Sequence, residues 1–453
     1  MTSSFMVSPS PPTGNNRRIE LTGMDLWILA RINNVFVYPS EINVDQLKDA
    51  LSRTLSLWPF VAGRTILEDD QHYIIEMCDN PIPITLVINN DLKEWPLDSN
   101  VIVEANNKLF PIFIDEVQVT KFFNNPSDEP LVRLKLTHII QSNECVLGIS
   151  WYHPLGDAAA CIHFSNTLSR LYQQMEPTQP LPIFQRRLWR EDEADQSVLP
   201  IPKQFRDAQS IEEVSKISSA HQLNYDQLNL HFSGKQLAIL RMLAGENSIT
   251  IQDVLTAYII LTLNKYCYNN NDERRILHTI TIVNSRGVSD FIAPQGQVSN
   301  SLFMMLSNDF DDPYSLSNIA KTIRQLIIQL RDPKVLESGI ATIDGLIRKN
   351  IRNNKFPNPQ LVPNEIAVNS NFKYDWANLV DFGYTDKCRF YTIWTSVLYL
   401  RVFRLNPEKE GNQWLPRDRD GAEVSFRMEK DLKEKFINAW KRDIIENFQN
   451  VKK

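Results

Sequence analysis

The 22 residues from Leu131 to Tyr152 limit most narrowly what this chain can fold into. Leu131 to Ile140 alternates, with Val132, Leu134, Leu136, His138 and Ile140 on one face and Arg133, Lys135 and Thr137 on the other. A period of two predicts a half-buried strand. Gln141-Ser142-Asn143 supplies a turn, and Cys145 to Tyr152 is then almost continuously apolar, as in a central strand covered on both sides. The two predict a hairpin. Directly after it, His153-Pro154-Leu155-Gly156-Asp157 opens a helix expected to run to about Gln174. Pro154 suits a first helical position, which makes His153 the expected cap residue. The apolar stripe is Cys161, Phe164, Leu168, Leu171 and Met175, and four residues before Cys161 stands Asp157, so the aspartate is expected to face the core. A histidine where a buried strand gives way to a helix is well placed for a general base. The HxxxD spacing adds little by itself, since roughly 0.5 occurrences are expected by chance.

Composition excludes several classes. At 453 residues the chain is long enough for two or three domains. Its hydrophobic content of 43% contains no charge-free run of the roughly 20 residues a membrane span needs. The best candidate, Val254 to Leu263, is too short, so no integral membrane role is expected. Met1 to Arg18 lacks a basic head and an apolar stretch and reads as a loose leader, not a signal peptide. Five cysteines (Cys78, Cys145, Cys161, Cys267, Cys388), widely spread and without CxxC, argue against a disulfide framework and against a metal site. They suit small core residues in a reducing compartment, and a cytoplasmic location is the expectation. A net charge of −6 argues against a nucleic-acid footprint, while leaving room for a local basic pocket for a phosphorylated small molecule.

Elsewhere the first half alternates helices and strands. Asp45 to Leu57 has helical spacing closed by Pro59, and a strand pair follows near Gly63 to Ile75. Pro177 to about Tyr225, rich in Pro and charge, is the expected crossover between halves. Leu228 to Phe232 is then a strand, Ser233 caps a helix to about Leu243, and Thr250 starts an apolar helix to Tyr266. Further strands are expected at Leu277 to Val283, Leu302 to Leu306, Phe390 to Leu405 with an interruption, and Ala422 to Met428, before a last helix from Glu429 to Phe448.

In this order the landmarks resemble the BAHD family of acyl-CoA-dependent acyltransferases over nearly the full length. Leu21-Thr22-Gly23-Met24-Asp25 is similar to the family's opening motif, and Trp58-Pro59-Phe60-Val61-Ala62-Gly63-Arg64 to its hFYPxAGR segment. His153 to Asp157 stands at the HxxxD position. Asn284-Ser285-Arg286 and Gly296-Gln297-Val298-Ser299-Asn300 stand at the arginine-bearing strand end and the Gly-Asn turn, and Asp420-Gly421-Ala422-Glu423-Val424 precedes the terminal helix. The family's DFGWG is here Asp381-Phe382-Gly383-Tyr384-Thr385, without the tryptophan and second glycine. Condensation domains of peptide synthetases share the fold but carry HHxxxDG, whereas Tyr152 precedes His153 here and Ala158 follows Asp157. A lone Asp-Phe-Gly also opens the kinase activation loop, yet no Gly-rich loop or HRD segment accompanies it.

The resemblance implies an α/β fold of two similar chloramphenicol-acetyltransferase-like domains, each a mixed sheet with flanking helices and an active-site channel between them. The expected division is a leader at 1–18, a first domain at 19–205, a linker at 206–225 and a second domain at 226–453. It implies acyl transfer from acyl-CoA, as a cosubstrate and not a resident cofactor, to a hydroxyl or amine of a small molecule in a ternary complex. No metal is implied, and the protein is expected to act as a monomer. His153 is the candidate base, because imidazole titrates in the right range; the positive end of a helix would keep it neutral. The resemblance gives Asp157 a structural role and pairs Asp381 with Arg286 as support for the site. No role is expected for His138 or His163, and the pairs Arg186-Arg187 and Arg274-Arg275 read as solvated loop charges, either of which could meet a CoA phosphate. Two alternatives stay open: a noncatalytic binding protein on the same scaffold, and a donor presented as a carrier-protein thioester.

Overall fold

The structure is a computed structural model that describes every residue except 69–71, 124–126, 191–192, 194–201, 246, 270, 394, 412 and 449–453. The predicted hairpin is its centre. Val132–Ile139 and Glu144–Tyr152 pair antiparallel, and all nine residues of the second strand are buried. They lie inside a seven-stranded mixed sheet in the order Thr2–Val7, Ile82–Asn89, Val132–Ile139, Glu144–Tyr152, Arg31–Tyr38, Arg389–Ile393, Ile102–Val103. The Ala158–Tyr172 helix packs with the Val44–Leu57 helix against this sheet, sharing one core with Phe36, Trp58, Trp151 and Phe164. A six-stranded sheet, in the order Tyr225–Phe232, Ala422–Glu429, Tyr399–Arg404, Glu365–Ser370, His278–Asn284, Leu302–Leu306, builds the second core. Its apolar face is covered by the Gly234–Leu243, Ile251–Thr262, Leu316–Gln329 and Lys430–Glu446 helices.

Several expectations are corrected. The 1–18 segment is not a loose leader throughout: Thr2–Val7 is the edge strand of the first sheet, its register running from Thr2 opposite Val87 to Val7 opposite Ile82. An edge strand buries little, so its sequence shows no apolar face. The expected linker at 206–225 contains a helix, Ile211–Asn224, with a capping box between Ser210 and Glu213. None of its residues is buried, which is why it carries no hydrophobic period. Part of the crossover, 191–192 and 194–201, lies outside the described residues.

The interrupted stretch Phe390 to Leu405 divides between the sheets. Arg389–Ile393 lies in the first, antiparallel to Arg31–Tyr38 and parallel to Ile102–Val103, while Tyr399–Arg404 lies in the second. A strand from the second half thus completes the sheet of the first. Glu423, fully buried on the second sheet, fastens the same seam: its carboxylate accepts from the Val101 and Ile102 amides at 2.6 and 2.8 Å and from His231 Nε2 at 2.9 Å. No helix among the described residues is long and apolar enough to cross a membrane.

Candidate active site

The buried strand delivers His153 to the seam between the sheets. The His153 amide donates to Ala30 O at 3.0 Å, and His153–Leu155 forms one 3-10 turn closed by the Gly156 amide on His153 O at 3.0 Å. Trp151 supports the turn from below through Nε1 to Gly156 O at 2.9 Å. Gly156 is required here, because a Cβ would stand 2.6 Å from the Ala160 Cβ. The helix proper begins at Ala158, and its cap is Asp157, not His153. The Asp157 Oδ1 accepts from the Ala159 and Ala160 amides at 3.0 and 3.1 Å. Pro154 sits inside the 3-10 turn, which the proline rule alone does not separate from a helix start.

Asp157 faces inward, as its register predicts, and a buried carboxylate needs a partner. The partner is Arg286, whose Nη1 lies 2.8 Å from Oδ2, both side chains almost wholly enclosed. Arg286 also donates to Gln297 O at 2.7 Å and Ser299 O at 2.6 Å. The expected pairing of Asp381 with Arg286 is therefore wrong. Asp381 is satisfied within its own loop and by the HxxxD helix: Gly383 N at 3.0 Å, Thr385 Oγ1 at 2.6 Å and Gln173 Nε2 at 3.1 Å. Phe382 N adds a bond to Ser169 Oγ at 2.9 Å, with Phe382 and Gly383 both at positive φ. Tyr384, standing where the family has tryptophan, bonds Glu41 O at 2.9 Å and packs on Tyr38, so the altered segment still ties the two halves together.

A second brace was invisible in the sequence. Arg186 is not a solvated charge; it is buried, 2.6 Å from Asp25 Oδ2, donating to Leu155 O at 3.2 Å and lying over the Phe60 ring. The other Asp25 oxygen accepts from Asn300 N at 2.8 Å, and Asn300 Nδ2 donates to His153 O at 2.9 Å. The opening motif, the hFYPxAGR segment and the Gly-Asn turn thus converge on the His153 loop. Arg187 stacks on Trp189 and Phe291, while Arg274 pairs with Asp272 and Arg275 reaches Tyr314.

His153 Nδ1 and Asn300 Oδ1 are both enclosed. Burial holds the His153 imidazole below its ordinary pKa, offset in part by Asp157, Asn300 and Asp25. A cavity of about 960 Å³ adjoins Arg286, lined among others by Ala159, Asn284, Arg286 and Tyr374 and by the cationic side chains of Arg241, Arg324, Arg331 and Lys373. Ala159 and Arg286, which flank Asp157, line it, while His153 does not. Arg324 is bound to Asp253, whereas Arg241, Arg331 and Lys373 make no ion pair among the described residues. His163, for which no role is expected, lines this cavity.

Two mixed sheets sharing a seam, with HxxxD at the end of a central strand, define an acyltransferase architecture. The chain matches the Transferase family over residues 1–384 and belongs to it; this is the BAHD family of acyltransferases. Vinorine synthase has a similar structure, with 15% identity, 96% of each chain covered and a TM-score of 0.60. TRI101 from F. graminearum, solved with coenzyme A and T-2 mycotoxin, aligns at 15% identity over 94% of this chain and 97% of its own, with a TM-score of 0.61. The epimerization domain from the third module of tyrocidine synthetase B aligns at 11% identity over 96% and 97%, with a TM-score of 0.56. No curated protein sequence matches the chain.

Proposed function

We propose that the protein transfers an acyl group from acyl-CoA to a hydroxyl or amine of a small-molecule acceptor, with His153 as general base. The observation that carries this is a half-buried His153 side chain with an enclosed Nδ1, on a turn braced from both sides, by Asp157–Arg286 and by Asp25–Arg186 with Asn300. His153 takes the acceptor's proton as its oxygen or nitrogen attacks the thioester carbonyl. The tetrahedral intermediate then expels the CoA thiolate, which takes the proton back from the imidazolium, so no acyl-enzyme forms. Such a base contributes about 10²- to 10⁴-fold. Asp157 and Arg286 act by fixing the loop, and Asp381 by holding the Ala158–Tyr172 helix to the second half.

Arg241, Arg331 and Lys373 around the cavity suit the phosphates of a nucleotide donor. A carrier-protein thioester, the second reading, draws support from the likeness to the tyrocidine synthetase domain, but a carrier's arm lacks the adenosine phosphates those cations would meet. Thiol release over a panel of acyl-CoAs and acceptors tests the proposal. His153→Ala should remove turnover while the protein stays folded. Normal turnover by that variant, or tight ligand binding without turnover for any acyl-CoA, would overturn it.

A further inference from the structure

One face of the Ala158–Tyr172 helix borders the large cavity: Ala159, Ile162, His163 and Asn166, the spacing of a single helical stripe. Ala159 and Ile162 offer apolar surface only. Asn166 is committed at both ends of its amide, with Nδ2 on Leu379 O at 2.6 Å and Oδ1 accepting from Thr178 Oγ1 at 3.1 Å. His163 is different. Its ring stands edge-on to the Trp58 indole, centroids 5.0 Å apart at 80°. Burial, with the Arg286 charge nearby, drives its pKa to about 4, and the Thr178 backbone offsets only part of this. A neutral imidazole whose proton faces that backbone keeps a lone pair on its other nitrogen.

The position along the helix matters as much as the chemistry. His163 stands six residues beyond the Asp157 cap, roughly 9 Å at 1.5 Å per residue, and lines the same cavity as Arg241, Arg331 and Lys373. Between the phosphates and the thioester of CoA lies a pantetheine arm with two amide N–H groups. Each needs an acceptor once it leaves water. We propose that His163 is a positioning residue, accepting a hydrogen bond from an amide N–H of the donor's pantetheine arm and so setting how far the thioester reaches toward His153. This rests on the acyl-CoA reading above.

The test is the calorimetric affinity for free CoA and for adenosine 3′,5′-bisphosphate, which shares the nucleotide phosphates but has no arm. His163→Ala is expected to weaken CoA binding by about 3- to 10-fold, the effect of one lost hydrogen bond, and to leave the bisphosphate unchanged. His163→Gln, which restores an acceptor, should recover most of the loss. His163→Leu fills the volume without accepting, and serves in place of alanine if truncation disturbs the packing on Trp58. Equal weakening of both ligands, or unchanged CoA affinity in the alanine and leucine variants, would overturn the inference. Failure of the unmutated protein to bind CoA at all would instead overturn the donor reading on which it stands.

Discussion

Asp157 is the residue on which a structural and a catalytic role part most clearly. Its Oδ1 caps the helix on two amides, and its Oδ2 neutralises an arginine that is otherwise buried among backbone carbonyls. Removing one partner of such a pair costs about 3–5 kcal/mol, because the remaining charge is left uncompensated. Losing the cap adds about 1 kcal/mol. Asp157→Ala is therefore expected to cost about 4–6 kcal/mol, and Asp157→Asn about 1 kcal/mol less, since its amide oxygen keeps the cap. At about 1–2 °C per kcal/mol for a cooperative unit of a few hundred residues, the alanine variant should melt roughly 4–12 °C lower. Scanning calorimetry measures this, and thiol-release kinetics below both transitions measure what remains. The carboxylate's charge raises the His153 pKa, so its loss should move the acid limb of kcat/KM downward while kcat falls by less than about tenfold. A variant with an unchanged melting temperature and a kcat reduced 10³-fold or more would refute the reasoning, because the carboxylate would then act on the reaction and not on the loop.

Three further outcomes follow from the same geometry. Burial lowers the His153 pKa, so the acid limb of the pH profile of kcat/KM should have its midpoint below about 6.5, the ordinary histidine value; a midpoint above it would remove His153 as the base. Arg186→Met should leave Asp25 buried and unpaired, lowering stability by about 3–5 kcal/mol, while Arg186→Lys, which cannot reach Asp25 and Leu155 O together as a fork, should recover only part of it in chemical denaturation. For His231, burial lowers the pKa but the hydrogen bond and charge of Glu423 outweigh it, so the folded value lies above the unfolded one. The stabilisation is then complete below about pH 6.5 and is lost as pH rises through the raised folded value; His231→Gln should flatten that part of the stability curve in denaturant titrations.

The path to His153 was legible because each step of it is local. Alternation, a turn, a continuous apolar run and a proline all fall within one stretch, and each leaves its own period. The inward direction of Asp157 was legible for the same reason, through its register with Cys161. Its partner was not. Arg286 stands 129 residues away, and only packing of the second sheet brings it near, so the choice between two carboxylates had no local signal. Asp381 took the wrong role because its loop satisfies it from within, through Gly383 and Thr385, which removes any need for a distant cation. Arg186 sits in an aperiodic crossover whose composition suggests solvent, and nothing short of the fold shows that it is enclosed. Sheet membership was equally hidden: Arg389–Ile393 has the pattern of a strand in either sheet, and its neighbours are set by chain topology.

That strand has a consequence for how the molecule comes into being. Arg31–Tyr38 pairs on one side with the strand that carries His153 and on the other with Arg389–Ile393, which in turn is the only described strand pairing with Ile102–Val103. During synthesis the first sheet must wait with one flank of Arg31–Tyr38 uncovered until residue 393 has left the ribosome, some 350 residues later. An unpaired edge of this kind invites pairing with other chains, and closing it is a contact of very long sequence separation and therefore slow. The two halves thus mature together, and a fragment ending before Arg389 would carry every residue of the His153 turn yet leave the sheet beneath it unfinished.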